Sequence, residues 1–282
     1  AIGDRGVRAA LGMGGYVTVP TALAARKERI PLLIAEQNAG AGLANRIVSR
    51  WAARKFTSFP DTHGLEDGEW VGNPVRRSLA EFDRDRLRPQ ALSHYELKPE
   101  LPVLGVFGGS LGALRINQAT VDAARLWAGR SDLHVRHVIG TRDWQVITSG
   151  GPPVPPGAPL HYEALEYDDD MPTSLAAADL VVCRSGASSS FELLAAGLPS
   201  VLVPSPFVTA DHQNANARHL AEAGAAVVVP DGELDGARLV AEVDALLADP
   251  TRLAAMSQAA RAASRPDAAD AIAALAEEHA RG

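Results

Sequence analysis

The 282-residue sequence is 46% hydrophobic and 22% charged, a globular composition that excludes the low-hydrophobicity, high-charge signature of disorder and gives room for two domains of ordinary size. Its net charge of -7 argues against an overall nucleic-acid binder, which would carry a basic excess. No apolar run approaches the roughly 18 residues of a spanning helix, so any membrane contact is expected to be peripheral, and the single cysteine, Cys183, has no partner for an internal disulfide, as suits a reducing compartment.

The first residue is Ala, and "AIGDRGVRAALGMGGY" runs at once into a strand end and a glycine turn, so the chain is expected to begin inside a domain. Up to residue 77, helix-like and strand-like pieces alternate: "YVTVPTALAARKER" predicts a turn and helix, "IPLLIAEQN" a buried strand, "AGLANRIVSRWAARK" a helix and "FTSFP" a short strand. Strand-length apolar runs between helical stretches signal a parallel α/β sheet. The polar, proline-punctuated "WVGNPVRRSLAEFDRDRLRPQALSHYELKPELP" is the expected domain boundary. A second series follows, with strands at "VLGVFGG", "LHVRHVIG", "LHYEALEY", "DLVVCRSG", "PSVLVPSP" and "AAVVVP" and helices at "MPTSLAAA", "SSSFELLAAG" and "DHQNANARHLAEAG". This predicts a doubly wound domain, whose ligands bind at the carboxyl ends of the strands. "SGGPPVPPGAP" is too proline-rich for an element interior, and the Ala-rich end reads as two or three helices broken near Pro250 and Pro266.

Four loops at strand ends carry chemistry. In "VFGGSLGALRIN", Gly108, Gly109, Ser110, Leu111 and Gly112 match both the G-x-S-x-G nucleophile elbow and a glycine loop whose amides face a phosphate at a helix start; a tight βα turn is the purely structural reading. In "CRSGASSSFE", Ser188, Ser189 and Ser190 can cap the helix that begins there, and Glu192 either stabilises its first turn or accepts from vicinal sugar hydroxyls. "SPFVTADHQNANA" and "AEQNAGAGLANR" crowd Gln213, Asn214 and Asn216, and Glu36, Gln37 and Asn38, at two further loops. Amides suit polyol recognition because they donate and accept without charge. Together the loops point to one nucleotide-sugar cleft.

The pieces "GMGGYVTVP", "EQNAGAGLANR", "VGNPVR", "GGSLGA", "DDM", "CRSGA" followed by Glu192, "AAGLPSVLVP" and "DHQNANA" run in order from residue 12 to about residue 226. In that order and spacing the sequence resembles the MurG family of bacterial glycosyltransferases. The resemblance implies an α/β fold of GT-B type, two Rossmann-like domains facing across a cleft with the N-terminal one incomplete. It divides the chain into 1–77, the end of the acceptor-side domain; 78–265, the donor domain; and 266–282, a C-terminal helix packing back on the first. It implies inverting transfer of N-acetylglucosamine from UDP-N-acetylglucosamine (UDP-GlcNAc) to the C4 hydroxyl of undecaprenyl-pyrophosphoryl N-acetylmuramyl pentapeptide in peptidoglycan synthesis. The location it implies is peripheral, on the cytoplasmic membrane surface, and it implies no cofactor, metal or nucleic acid.

Carried over residue by residue, the resemblance places Asn38 at the donor sugar and Arg76 and Ser110 at the pyrophosphate. Gly186, Ala187, Ser188, Ser189, Ser190 and Phe191 would line the nucleotide pocket, Glu192 would bind ribose, and Gln213 and Asn214 the N-acetylglucosamine. Asp168 stands before "DDM", where the family is usually apolar and near the uracil, and Ala35 where it usually has His. The family's G-G-T-G-G-H loop, source of a favoured general base, is not among these residues, so no catalytic base is named. A chain that binds donor without turning it over is the alternative expectation. "NRIVSRWAARKF", with Arg46, Arg50, Arg54 and Lys55 around Trp51 and Phe56, reads either as a helix near lipid headgroups or as one facing the core. A serine hydrolase using Ser110 would need a later acid and imidazole, for which Asp179 or Asp211 with His212 or His219 satisfies chain order.

Overall fold

The computed structural model describes residues 6–108, 113–208 and 211–281, and in it the chain forms two all-parallel sheets that share no strand. In the first, β1 (Ala10–Gly12), β2 (Leu32–Glu36), β3 (Arg54–Thr57) and β4 (Glu69–Trp70) lie in sequence order. Side chains alternate along β2. Leu32 and Ile34 pack with Ala22 and Ala25 of α1 (Thr18–Lys27) and Val48 of α2 (Leu43–Val48), while Leu33 and Ala35 face Phe56, Val71 and Ile272. Ile272 belongs to the last helix, α12 (Ala268–Arg281), so the far end of the sequence covers one face of this sheet. Gly72, at φ 91°, passes so close to the start of that helix that a Cβ would collide with the Arg265 side chain.

After α2 a single 3-10 turn, Ser49–Trp51, leads into β3. Val48 and Phe56 are fully buried, Arg54 pairs with Glu69 at 2.6 Å, Lys55 pairs with Asp67, and the guanidinium groups of Arg26 and Arg50 lie 4.8 and 5.6 Å from the Trp51 ring. This stretch is a wall of the first core, the second of its two expected readings.

The expected boundary holds two helices, α3 (Arg77–Ala80) and α4 (Arg84–His94), with Pro89 inside the latter. Asp83 caps α4 by accepting from Arg86 N at 3.1 Å. Arg84 and Arg88 both reach Asp179, at 2.9 and 2.8 Å, and Asp179 also accepts from Val103 N at 2.9 Å. These ion pairs join an apolar stripe, Leu87, Ala91 and Leu92 against Val103, Ala176 and Ala177, in tying this helix to the second domain.

The second sheet contains β5 (Val103–Phe107), β6 (His134–Val138), β7 (His161–Leu165), β8 (Leu180–Cys183), β9 (Ser200–Leu202) and β10 (Ala226–Val228), in the order β10-β9-β8-β5-β6-β7. Its helices are α5 (Leu114–Leu126), α6 (Thr141–Thr148), α7 (Met171–Ala177), α8 (Ala187–Ala196), α9 (His212–Glu222), α10 (Gly236–Leu247) and α11 (Pro250–Ala263). Leu180 and Val182 of β8 join one core with α5 and α10; Val181 and Cys183 join the other with α8 and α9. Cys183 is wholly buried, which pushes its thiol pKa up and leaves it a small apolar side chain. The chain winds one way from β5 to β7 and the other way from β8 to β10, so β5 and β8 flank the switch point where an open α/β sheet receives its ligand.

Candidate functional site

A cavity of about 510 Å³ opens at that switch point. Gly108, after β5, and Arg184 with Gly186 to Ser189, after β8, form one side; Met13, Gln37, Asn38, Asn73 and Pro74 come from the first sheet and the boundary; Ser205, Val208 and Gln213 complete it. Of the residues singled out in the sequence, Asn38, Gly186, Ala187, Ser188, Ser189 and Gln213 are brought together here. Ser110 lies outside the described residues.

The start of α8 shapes one wall of the cavity. Helices α4, α7, α10 and α11 are each capped by an aspartate side chain, Asp83, Asp170, Asp235 and Asp249. At α8 the cap is Gly186, which has no side chain to spend on it, and none of the following serines takes over. The first-turn amides therefore lack intrahelical partners at the positive end of the helix dipole, an arrangement that favours an anion. Helical phase then separates the residues of this run. Ser190 and Phe191 turn into the protein, Ser190 Oγ buried without a hydrogen-bond partner among the described residues and the Phe191 ring 4.9 Å from Phe59. These two belong to the core beneath the pocket, a correction to their expected place in its wall.

Arg76 and Glu192, expected at pyrophosphate and ribose, meet each other: Arg76 Nε donates to Glu192 Oε1 at 3.1 Å, with the arginine half exposed and the carboxylate mostly covered. Neither lines the cavity itself.

A polar cluster that crosses between the domains holds Asn38 of the cavity wall in place. Buried Glu36 accepts from Asn38 N (3.1 Å), Asn38 Nδ2 (3.2 Å), Gly42 N (3.0 Å) and Asn45 Nδ2 (2.8 Å), which fixes the loop after β2. From α9, wholly buried Asn216 accepts from Ala39 N at 3.0 Å and donates to Asn38 Oδ1 at 3.3 Å and Ser185 O at 3.1 Å. Gln213 Oε1 accepts from Ser205 N at 2.8 Å, leaving its amide nitrogen as the donor for a ligand. Its neighbour Asn214 instead donates to Asp211 at 2.5 Å and is not part of the cavity wall.

Arg184 was not singled out in the sequence, and Asn216 was named there only among the ligand-competent amides of its loop, not as the residue that ties that loop to the first domain. Arg184 is held by Asp231 at 2.5 Å and Val203 O at 3.0 Å, so the cation at the wall is fixed from behind. Asp168 lies under the loop after β7, where it accepts from Asp170 N at 2.9 Å and from Ser174 and lies 3.7 Å from Arg136. Arg136, stacked 3.4 Å over Tyr95 and paired with Glu163, compensates an acid in this buried place. For the hydrolase reading, Asp179 is committed to Arg84 and Arg88 and Asp211 to Asn214, so the hydrogen bonds found at these two acids do not orient an imidazole.

Residues 103–272 match the glycosyltransferase family 28 C-terminal domain and residues 2–57 the glycosyltransferase family 28 N-terminal domain. Two curated relatives carry the name UDP-N-acetylglucosamine--N-acetylmuramyl-(pentapeptide) pyrophosphoryl-undecaprenol N-acetylglucosamine transferase. That of Mycolicibacterium paratuberculosis is 43% identical over 93% of this chain and 64% of its own length. That of Alkalilimnicola ehrlichii is 44% identical over 97% of this chain and 74% of its own length. The chain thus spans roughly two thirds to three quarters of the relatives it matches. The crystal structure of Acinetobacter baumannii MurG superposes with a TM-score of 0.80 at 30% identity, covering 98% of this chain and 75% of that one. The UDP complex of S. aureus MnaA, at 16% identity and TM-score 0.70 over 96% of this chain and 76% of that one, shares the fold.

Proposed function

The chain belongs to glycosyltransferase family 28, and from that premise we propose that it moves N-acetylglucosamine from UDP-GlcNAc to the C4 hydroxyl of a lipid-linked N-acetylmuramyl pentapeptide, inverting the anomeric carbon. The observation that carries this reading is the uncapped start of α8 facing Asn38 and Gln213 across one cavity. Transfer requires charge on the departing UDP to be stabilised, and the amides of Ala187 to Ser189 at the positive helix end supply that. Gln213 Nε2 and Asn38 recognise sugar hydroxyls. Glu192 accepts from the ribose once Arg76 swings away from it toward the pyrophosphate, a movement within the reach of a half-exposed arginine. In this reading residues 78–265 are the donor domain and residues 1–77 with the C-terminal helix the acceptor side.

A lipid-borne acceptor has to approach from a membrane surface. Tyr16, Val17 and Leu43 are 93%, 77% and 69% exposed where α1 and α2 begin, on the same side of the first sheet as Met13 in the cavity wall. Large apolar side chains left in water at that edge suit contact with lipid.

The test is calorimetric titration of the chain with UDP-GlcNAc, UDP-glucose and UMP, repeated with Glu192→Ala. Preferred binding of UDP-GlcNAc, weakened about tenfold or more in the variant, is the expected result. Equal affinity for both sugars would remove the assignment of Gln213 and Asn38, and no nucleotide binding would remove the reading.

A further inference from the structure

We propose that Asp231 is a positioning residue for the diphosphate of the donor: it holds one nitrogen of the Arg184 guanidinium behind the cavity wall, so that the opposite edge is left whole for an anion. This inference rests on the donor-cleft reading above.

Strands β8, β9 and β10 end level, with Cys183 opposite Leu202 and Leu202 opposite Val228. Arg184, Val203 and Val229 follow side by side at their carboxyl ends, and Asp231 opens a short 3-10 turn just beyond, after the extended Pro230. From the end of β8 the Arg184 side chain crosses the end of β9 and meets Asp231 past the end of β10. Its Nη1 faces Val203 O at 3.0 Å, Pro204 O at 3.4 Å and Asp231 Oδ1 at 2.5 Å. With two hydrogens for three acceptors, Nη1 is fully committed. Among the described residues nothing accepts from Nε or Nη2. Those two nitrogens form one fork of the guanidinium, which can give parallel hydrogen bonds to two oxygens of a phosphate.

Arg184 is the one charged side chain among the described residues that line the cavity, and Asp231 does not line it. The cavity therefore meets the cation, with its counter-ion behind. An anion on the free fork lies nearer the guanidinium than the carboxylate, so attraction prevails. Arg184 is only 9% exposed, and without a counter-ion a cation in that place would be costly and drawn toward water. Glu233, two residues on from Asp231, pairs instead with Arg238 at 3.3 Å. As a source of stability a buried ion pair gains little over apolar side chains of like volume. What this pair supplies is a cation already placed beside the start of α8, so that binding an anion need not order a long side chain.

The test titrates the whole chain, unmodified and as Asp231→Leu, Asp231→Asn and Asp231→Ser, with UDP and, by NMR, with uridine. Asp231→Leu should lose about tenfold or more in UDP affinity while uridine affinity stays within about twofold of the unmodified chain. Asp231→Asn should recover most of the loss, because its amide oxygen can accept from Nη1. Asp231→Ser leaves room for water beside Nη1 and should show the same UDP-selective loss in smaller measure; it carries the test if the leucine variant does not fold. With Arg184→Gln already in place, Asp231→Leu should cost less than about twofold more, since the residue it acts through is gone. Unchanged or tighter UDP binding, equal loss for UDP and uridine, or a further large loss beside Arg184→Gln overturns the inference alone. Failure of the unmodified chain to bind UDP overturns the donor-cleft reading and this inference with it.

Discussion

Asn216 makes three hydrogen bonds with one side chain, and two of them join α9 to the loop after β2. Asn216→Ala leaves Ala39 N-H and Ser185 O in a buried place without partners. The expected cost is roughly 2 to 4 kcal/mol of stability, read as a lower urea midpoint, together with weaker donor binding because Asn38 loses its anchor. A cost below about 1 kcal/mol would show that solvent replaces the amide. Amide residues at this loop were legible in the sequence as ligand-competent, yet which amide does what depended on helical phase. Gln213 faces the cavity, Asn214 is taken by Asp211, and Asn216 holds the two domains together. The Arg76–Glu192 pair was illegible for another reason: nothing local marks two side chains so far apart in sequence as partners.

Helix α12 shows how an element far along the chain can belong to a core built at its start. Ile272 is buried against Leu33, Ala35, Phe56 and Val71. Ile272→Ala should cost roughly 2 to 5 kcal/mol, and amide exchange should speed up in β2 and β3 while β5 and β8 keep their protection. Equal loss of protection in both sheets would mean that the two domains unfold as one unit. The strands were legible because continuous Val, Leu and Ile runs between helices leave little choice but a parallel sheet covered on both faces. Helix α4 was not, because Pro89 and its charges read as a linker and its apolar stripe is short, Leu87, Ala91 and Leu92, with Arg84 and Arg88 adding a contact to the distant Asp179. Helix α6 offered only a short pattern, and its buried acid, Asp143, works against recognising an inward face.

For the molecule as a whole, covered imidazoles make stability depend on pH: His134 and His137 carry the large shifts, and burial lowers the pKa of His219 as well. Burial lowers the pKa of His137 to about 3 and that of His134 to about 4, the latter also beside His161 and Lys98. From about pH 6.5 downward the unfolded chain binds two protons that the folded chain refuses. Stability is therefore complete above pH 6.5 and falls as pH drops toward 4, by roughly 2.7 kcal/mol per unit at most for the pair. Urea midpoints between pH 7.5 and 4.5 check this, and His137→Gln should remove about half of the slope; a flat profile would contradict it.

The covering of the first sheet by α12 also bears on the order in which a ribosome can finish this protein. Residues 9–71 are made early, but one face of their sheet stays open to water until Ile272 has emerged, an interval of roughly 10 to 40 s at ordinary elongation rates. The second sheet and its helices are complete before that moment. During synthesis the later domain closes first and the earlier one waits with Leu33 and Phe56 uncovered, so nascent chains stalled short of residue 272 are the form that chaperones should meet.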